Sequence, residues 1–189
     1  MNTTCGTVQR QPETGQVTIP DEDIVMHRPL WFRQALAAPF ESRTLDVDGN
    51  EIHYLRWGND DANRPGLLFV HGNGAHAHWF HFIAPLLTEH YNVASMDLGG
   101  MGDSGWRIGY SRETFAREIG EVALAAGLGP KPVVVGHSFG GAIAAAFALA
   151  YPEKTRGLVF LAAATHPWPG AATTPCASTR SRASPPAAC

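Results

Sequence analysis

The chain of 189 residues has few cysteines, little net charge and no long apolar run. Its three cysteines, Cys5, Cys176 and Cys189, lie near the chain ends and are odd in number, which argues against a disulfide framework. A net charge of -3 offers no basic surface to nucleic acid or to an anionic membrane. The longest apolar run, residues 142–151, is too short to span a bilayer. The first twenty residues lack the apolar stretch of a signal peptide. The default expectation is a soluble, cytoplasmic protein with neither a nucleic-acid nor a membrane partner.

Carboxylates also run out: no Asp or Glu follows Glu153. Periodicity disappears from Thr165 onward, and residues 171–189 contain only Ala, Thr, Pro, Cys, Ser and Arg. Such a segment cannot bury enough surface to offset its ordering entropy, so residues 166–189 are expected to be disordered. All six residue types have codons with C or G in the middle position, whereas core residues such as Leu, Val and Phe need T there. The stretch therefore reads as out-of-frame translation of a gene rich in G and C.

What remains is well patterned. Residues 1–22 are polar and read as a loose tail, and residues 24–38 as a short helix with Pro29 near its start. Residues 45–57 alternate around Gly49-Asn50, which predicts a hairpin. Residues 67–70, 92–96, 133–135 and 158–161 are short apolar runs, as expected of strands covered on both faces. Between them lie three helical stretches: residues 79–88, interrupted by Pro85; residues 111–126; and residues 140–151, ended by Pro152. The second has Ser111 as N-cap and a stripe of Phe115, Ile119, Val122 and Ala126. Strands alternating with helices give an α/β fold with a mostly parallel sheet, made mixed by the N-terminal antiparallel hairpin. The chain divides into residues 1–40 (tail and short helix), 41–165 (core) and 166–189 (tail).

The chemistry concentrates in two segments. Gly136-His137-Ser138-Phe139-Gly140 follows an apolar strand and opens an Ala-rich helix. This is the context of a nucleophile elbow, a turn so tight that the serine takes a strained conformation and glycines must flank it. The helix N-terminus adds partial positive charge beneath Ser138. Leu68-Phe69-Val70-His71-Gly72-Asn73-Gly74 ends a buried strand in a His-Gly turn. The N–H groups of Asn73 and Phe139 are the candidate oxyanion donors.

With these motifs, and with Met96-Asp97-Leu98-Gly99-Gly100-Met101-Gly102-Asp103-Ser104-Gly105 between them, the chain resembles the α/β-hydrolase superfamily from about Leu45 to Ala164. Members near this pattern include esterases, C–C bond hydrolases, lactonases and cofactor-free haloperoxidase-like enzymes. Gly99 and Met101 stand where relatives usually have Arg and His, which implies weaker loop packing. Relatives with haloalkane or epoxide substrates usually have Asp as nucleophile, and Ser138 argues against those chemistries. The resemblance implies acyl transfer to water through a Ser–His–acid triad. It also implies that the acid follows the sixth or seventh strand and the His the eighth. Here residues 158–161 make the sixth strand and no carboxylate follows. The fold is therefore expected to lack its last strands. The resulting expectation is a serine hydrolase of small carbonyl or ester substrates by ancestry, inactive as this chain; the alternative is a non-catalytic fragment or a binding module using the remnant pocket.

The histidines are read one by one. His166, at the tip of the last strand, is the candidate weak base, with no acid to orient it. His137 neighbours Ser138 but is expected to turn away, in a structural role, and His71 belongs to its turn. His76, His78 and His81 lack carboxylate or cysteine neighbours, so no metal and no cofactor is expected. Asp97 and Asp103 are read as loop-shaping. Trp106 and Arg107 are candidates for the substrate mouth or an exposed rim. Residues 158–161 would form a bare apolar edge, an invitation to self-association.

Overall fold

The computed structural model describes residues 13–14, 28–58 and 61–163. One sheet contains strands β1 (Glu13–Thr14), β2 (Phe40–Val47), β3 (Asn50–Trp57), β4 (Gly66–Val70), β5 (Asn92–Met96), β6 (Val133–His137) and β7 (Gly157–Leu161). Their spatial order is β1-β2-β3-β5-β4-β6-β7. The pairings β1/β2, β2/β3 and β3/β5 are antiparallel, and β5/β4, β4/β6 and β6/β7 are parallel. The expected mixed α/β sheet is therefore found.

The hairpin turn is one residue earlier than expected. Asp48 and Gly49 carry the positive φ values, 54° and 78°, and Asn50 already pairs with Val47. Asp46 Oδ1 accepts the Gly49 N–H at 3.0 Å, which makes Asp48-Gly49 the central pair of a twisted two-residue turn. The reading of residues 1–22 as a loose tail needs correction at Glu13–Thr14, which pair with Ser42 and Glu41 of β2. The rest of that tail, residues 166–189 and all three cysteines lie outside the described residues.

Among the described residues the α-helices are α1 (Leu30–Leu36), α2 (Arg112–Ala125) and α3 (Phe139–Ala150). Ser111 caps α2, its Oγ accepting the Thr114 N–H at 3.1 Å. Phe115, Ile119, Val122 and Ala126 are buried against the sheet as one stripe, together with Ile143 and Phe147 of α3. The opposite face of the sheet buries Phe40, Leu55, Trp57, Phe69 and Val135 beneath residues 77–87. The helix expected over residues 79–88 is instead two 3₁₀ turns, Ala77–Phe80 and Ala84–Leu87. Pro85 supplies no N–H and opens the second turn, which breaks α-helical continuity there.

Strands β4 and β5 are buried at every position. Strand β7 is the outer strand beside β6, with Val159 42%, Phe160 52% and Leu161 41% exposed. Among the described residues no helix is long and apolar enough to cross a membrane.

Candidate active site

The site lies where parallel strands β4 and β6 end and the chain turns into α3. Ser138 has φ 51° and ψ -116°, a conformation that L-residues rarely adopt. It stands between the last residue of β6 and the first of α3, and its N–H bonds to the Leu161 carbonyl at 3.0 Å. The flanking glycines are steric necessities. A Cβ on Gly136 would lie 2.5 Å from the Gly140 carbonyl oxygen. A Cβ on Gly140 would collide with the carbonyls of Val70 and His71, and one on Gly141 would lie 2.6 Å from the Ala163 Cβ. Helix α3 thus begins in contact with the end of β4, and this contact draws the His71-Gly72-Asn73 turn toward Ser138. A Cβ on Gly72 would lie 3.3 Å from that of Ser138.

Ser138 opens into a pocket of about 370 Å³, lined by residues 72–76 together with Trp79, His137 and Ser138. Of the predicted residues, Ser138 and Asn73 share this pocket. Phe139 heads α3 with its ring edge-on to Phe115 at 5.7 Å. His166 lies outside the described residues.

His137 borders the pocket, with its ring near-parallel to Trp79, centroids 5.6 Å apart, and its Nδ1 buried without a hydrogen bond to the described residues. The alternation of β6 puts His137 on the same face as Val133 and Val135, beneath the Ala77–Phe80 turn.

His71 fixes the turn from beneath. Its Nδ1 donates to the Gly72 carbonyl at 2.7 Å, and its Nε2 accepts the Leu98 N–H at 3.2 Å. Both bonds require the neutral ring with the proton on Nδ1. Burial favours that state and pushes the His71 pKa below its ordinary value, outweighing the Gly72 bond and the Asp97 charge.

Asp97 shapes the neighbouring loop, as expected. It accepts the Ala77 N–H at 2.5 Å, the Asp103 N–H at 3.0 Å and a bond from His53 Nδ1 at 2.7 Å. Burial alone would raise its pKa, but these bonds, that from His53 foremost, hold it below the usual aspartate value. A ring nitrogen of His53 and carboxylate oxygens of Asp97 and Asp103 lie within 4.8 Å of one another.

His78 and His81 form a pair, their Nδ1 atoms 3.1 Å apart and their rings only 12° from parallel. The 5.3 Å centroid separation is close to that N–N distance plus two ring radii, so the rings point at each other edge-on. At that N–N distance one ring donates its Nδ1–H to the other's Nδ1.

Arg107 belongs neither to a substrate mouth nor to an exposed rim. Its Nη2 bonds to the Val47 carbonyl at 3.0 Å and lies 3.1 Å from Glu118 Oε1. Trp106, by contrast, is 82% exposed. Glu118 was not anticipated, although it lies three residues after Phe115 on the buried face of α2; a carboxylate in an apolar stripe was the available signal. Its Oε2 accepts the Gly99 N–H at 3.0 Å. Burial raises the Glu118 pKa more than Gly99 and Arg107 lower it. The loop is thus fastened through the backbone of Gly99, where a Cβ would lie 2.6 Å from Glu118 Oε1, and Met101 packs against the core. The expected weakening of loop packing is offset by this brace.

A family model described as alpha/beta hydrolase fold matches residues 65–181, more than half of the chain. The chain belongs to the α/β hydrolase family. Within that family, it is 33% identical over 126 residues to a pimeloyl-[acyl-carrier protein] methyl ester esterase of Klebsiella pneumoniae (strain 342), an alignment covering 64% of this chain and 46% of the esterase. It is 32% identical over 125 residues to haloalkane dehalogenase 2 of Mycobacterium tuberculosis (strain ATCC 25618 / H37Rv), covering 64% of this chain and 41% of the dehalogenase. Among solved structures, a membrane phospholipase A matches with a TM-score of 0.61 and 34% identity, over 70% of this chain and 42% of that one. The chain therefore spans less than half the length of these α/β hydrolases.

Proposed function

We propose that Ser138 is the nucleophile of an acyl-transfer site for small carbonyl or ester substrates, with the N–H groups of Asn73 and Phe139 as oxyanion donors. The supporting observation is the strained backbone of Ser138, φ 51° and ψ -116°, at a strand-to-helix corner that faces a pocket. Such strain persists only where the surroundings over-determine it, and it lifts Oγ clear of the sheet edge. The likeness to a methyl ester esterase supports an ester substrate. The name of the dehalogenase relative is not carried over, because serine stands where that chemistry usually has aspartate. The unit is taken as residues 41–165, and no cofactor or metal enters the step.

Activation is the weak point. Among the described residues no imidazole or carboxylate is hydrogen-bonded to Ser138 Oγ, which supports the reading that this chain is inactive or nearly so. His166 is the candidate base. Loss of triad members costs several powers of ten in rate and leaves what the oxyanion donors contribute. A fluorophosphonate probe is expected to label Ser138 slowly, and Ser138→Ala to abolish that label. Rapid labelling at Ser138 would overturn the inactive reading, and a complete lack of label at Ser138 with saturating probe would overturn the nucleophile assignment. That last outcome favours the second reading, a non-catalytic fragment whose pocket only binds small molecules.

The exposed β7 edge supports self-association. Sedimentation is expected to show oligomers that Val159→Lys or Phe160→Lys dissociates; a wild-type monomer at all concentrations would contradict this.

A further inference from the structure

A second serine, remote in sequence from Ser138, has the partners that Ser138 does not have among the described residues. Ser42 on β2 and His53 on β3 are diagonal neighbours on one sheet face, since Ser42 pairs with Leu55 and Thr44 with His53. Ser42 Oγ lies 2.9 Å from His53 Nε2. His53 Nδ1 lies 2.7 Å from Asp97 Oδ2. Exposure falls along the series, as nucleophilic relays require: Ser42 is half-buried, and the side chains of His53 and Asp97 are 6% and 1% exposed.

The surroundings fix both the ring orientation and its tautomer. Asp97 is a pure acceptor, already receiving the N–H groups of Ala77 and Asp103. The proton of a neutral His53 must therefore sit on Nδ1, leaving the Nε2 lone pair aimed at Ser42. The backbone is pinned as well. His53 N–H donates to Ser104 Oγ at 2.9 Å, Ser104 Oγ donates to the Asp97 carbonyl at 2.8 Å, and Asp97 N–H donates to the His53 carbonyl at 2.9 Å. A general base held by a third group and bonded to a hydroxyl is the arrangement that activates a serine.

We propose that Ser42, with His53 as base and Asp97 as orienting acid, is a second acyl-accepting site, specific for activated acyl donors such as aryl esters. Ser42 Oγ attacks the ester carbonyl while its proton passes to His53 Nε2. The bond to the aryloxide breaks, His53 returns the proton to the leaving oxygen, and acyl-Ser42 and a phenol result. Water then reverses the relay, releasing the carboxylic acid. Ser42 lies on regular strand backbone without the strained corner of Ser138, so good leaving groups, which need little oxyanion help, are the matching substrates.

The site does not depend on the role of Ser138, and mapping the modified peptide separates the two. The full chain is treated with p-nitrophenyl acetate or a fluorophosphonate, digested, and the adduct located by mass spectrometry. An adduct is expected on Ser42 in the wild type and in Ser138→Ala, absent in Ser42→Ala and at least tenfold slower to form in His53→Gln. A folded chain without an adduct at Ser42 overturns the proposal, whatever is found at Ser138. Because His53→Gln removes a buried ring, Ser42→Cys gives an independent readout. Beside His53 its thiol should react with iodoacetamide well below the ordinary thiol pKa of about 8.5. A rate–pH profile like that of a free thiol would equally overturn it.

Discussion

Ser138 and Ser42 divide between them what a working serine hydrolase unites. Ser138 has a strained backbone, a helix beneath it and a pocket in front, but no imidazole bonded to its Oγ among the described residues. Ser42 sits on ordinary strand backbone and has an imidazole and a buried carboxylate in line. The difference teaches that the two halves of such a site come from different physics. The first half is built by close backbone approach, which glycines permit. The second is built by strand register, which brings together polar side chains that are far apart in sequence.

The largest effect is expected at the residue that serves both regions. Asp97→Asn removes the charge that His53, Ala77 and Asp103 address, and should cost about 3–5 kcal/mol in a denaturant titration, as breaking a buried pair does. A loss below about 1 kcal/mol, the scale of an exposed pair, would mean that Asp97 is not the keystone drawn here.

Acid should come next. The pKa values of His71, His78 and His81 are all lowered in the folded chain, chiefly by burial. The unfolded chain then binds more protons, so their stabilising contribution is complete above an unfolded histidine pKa of about 6.5 and is lost as pH falls below it. Asp97 is shifted the same way, and its contribution disappears only at lower pH, below about 3.9. Melting temperature should fall as pH drops from 7 to 5, and a flat profile would contradict the neutral His71 clamp on Gly72.

The comparison sharpens with glycine at each serine. Ser138→Gly relieves the positive φ and should raise stability by about 1–3 kcal/mol, the usual size of such strain. Ser42→Gly, within a strand, should lower it by about 0.5–1 kcal/mol. Equal and opposite melting shifts are not required, but shifts of the same sign would remove the distinction. The smallest effect is expected for Glu118→Gln, which keeps an acceptor for Gly99 and loses only the Arg107 charge pair. A change within about 1 kcal/mol is expected by urea titration, because the carboxyl already favours its neutral form relative to an exposed glutamate.

The Ser138 region was legible in the sequence because its causes are local. Gly136, Gly140 and Gly141 announce a turn that cannot tolerate Cβ atoms, and the apolar runs on either side announce a buried strand and helix. The Ser111 cap was legible for the same reason. The Ser42 relay was not legible: His53 is eleven residues from Ser42 and forty-four from Asp97, and only the register of β2 on β3 and of β3 on β5 brings them together. Arg107 was misread because nothing near it in sequence names Glu118 as its partner.

The strand order also sets a schedule for synthesis. Leu67–Val70 lies between β5 and β6, and Leu67 finds its second neighbour only when Val133 has been made. Until then the nascent chain exposes one edge of a strand that is buried at every position in the fold, through the translation of α2. Sequence-distant pairing of this kind is slow and prone to aggregation. The stretch from β4 to β6 is therefore where chaperone dependence and inclusion-body formation should originate, and slowed translation between codons 70 and 133 should worsen both.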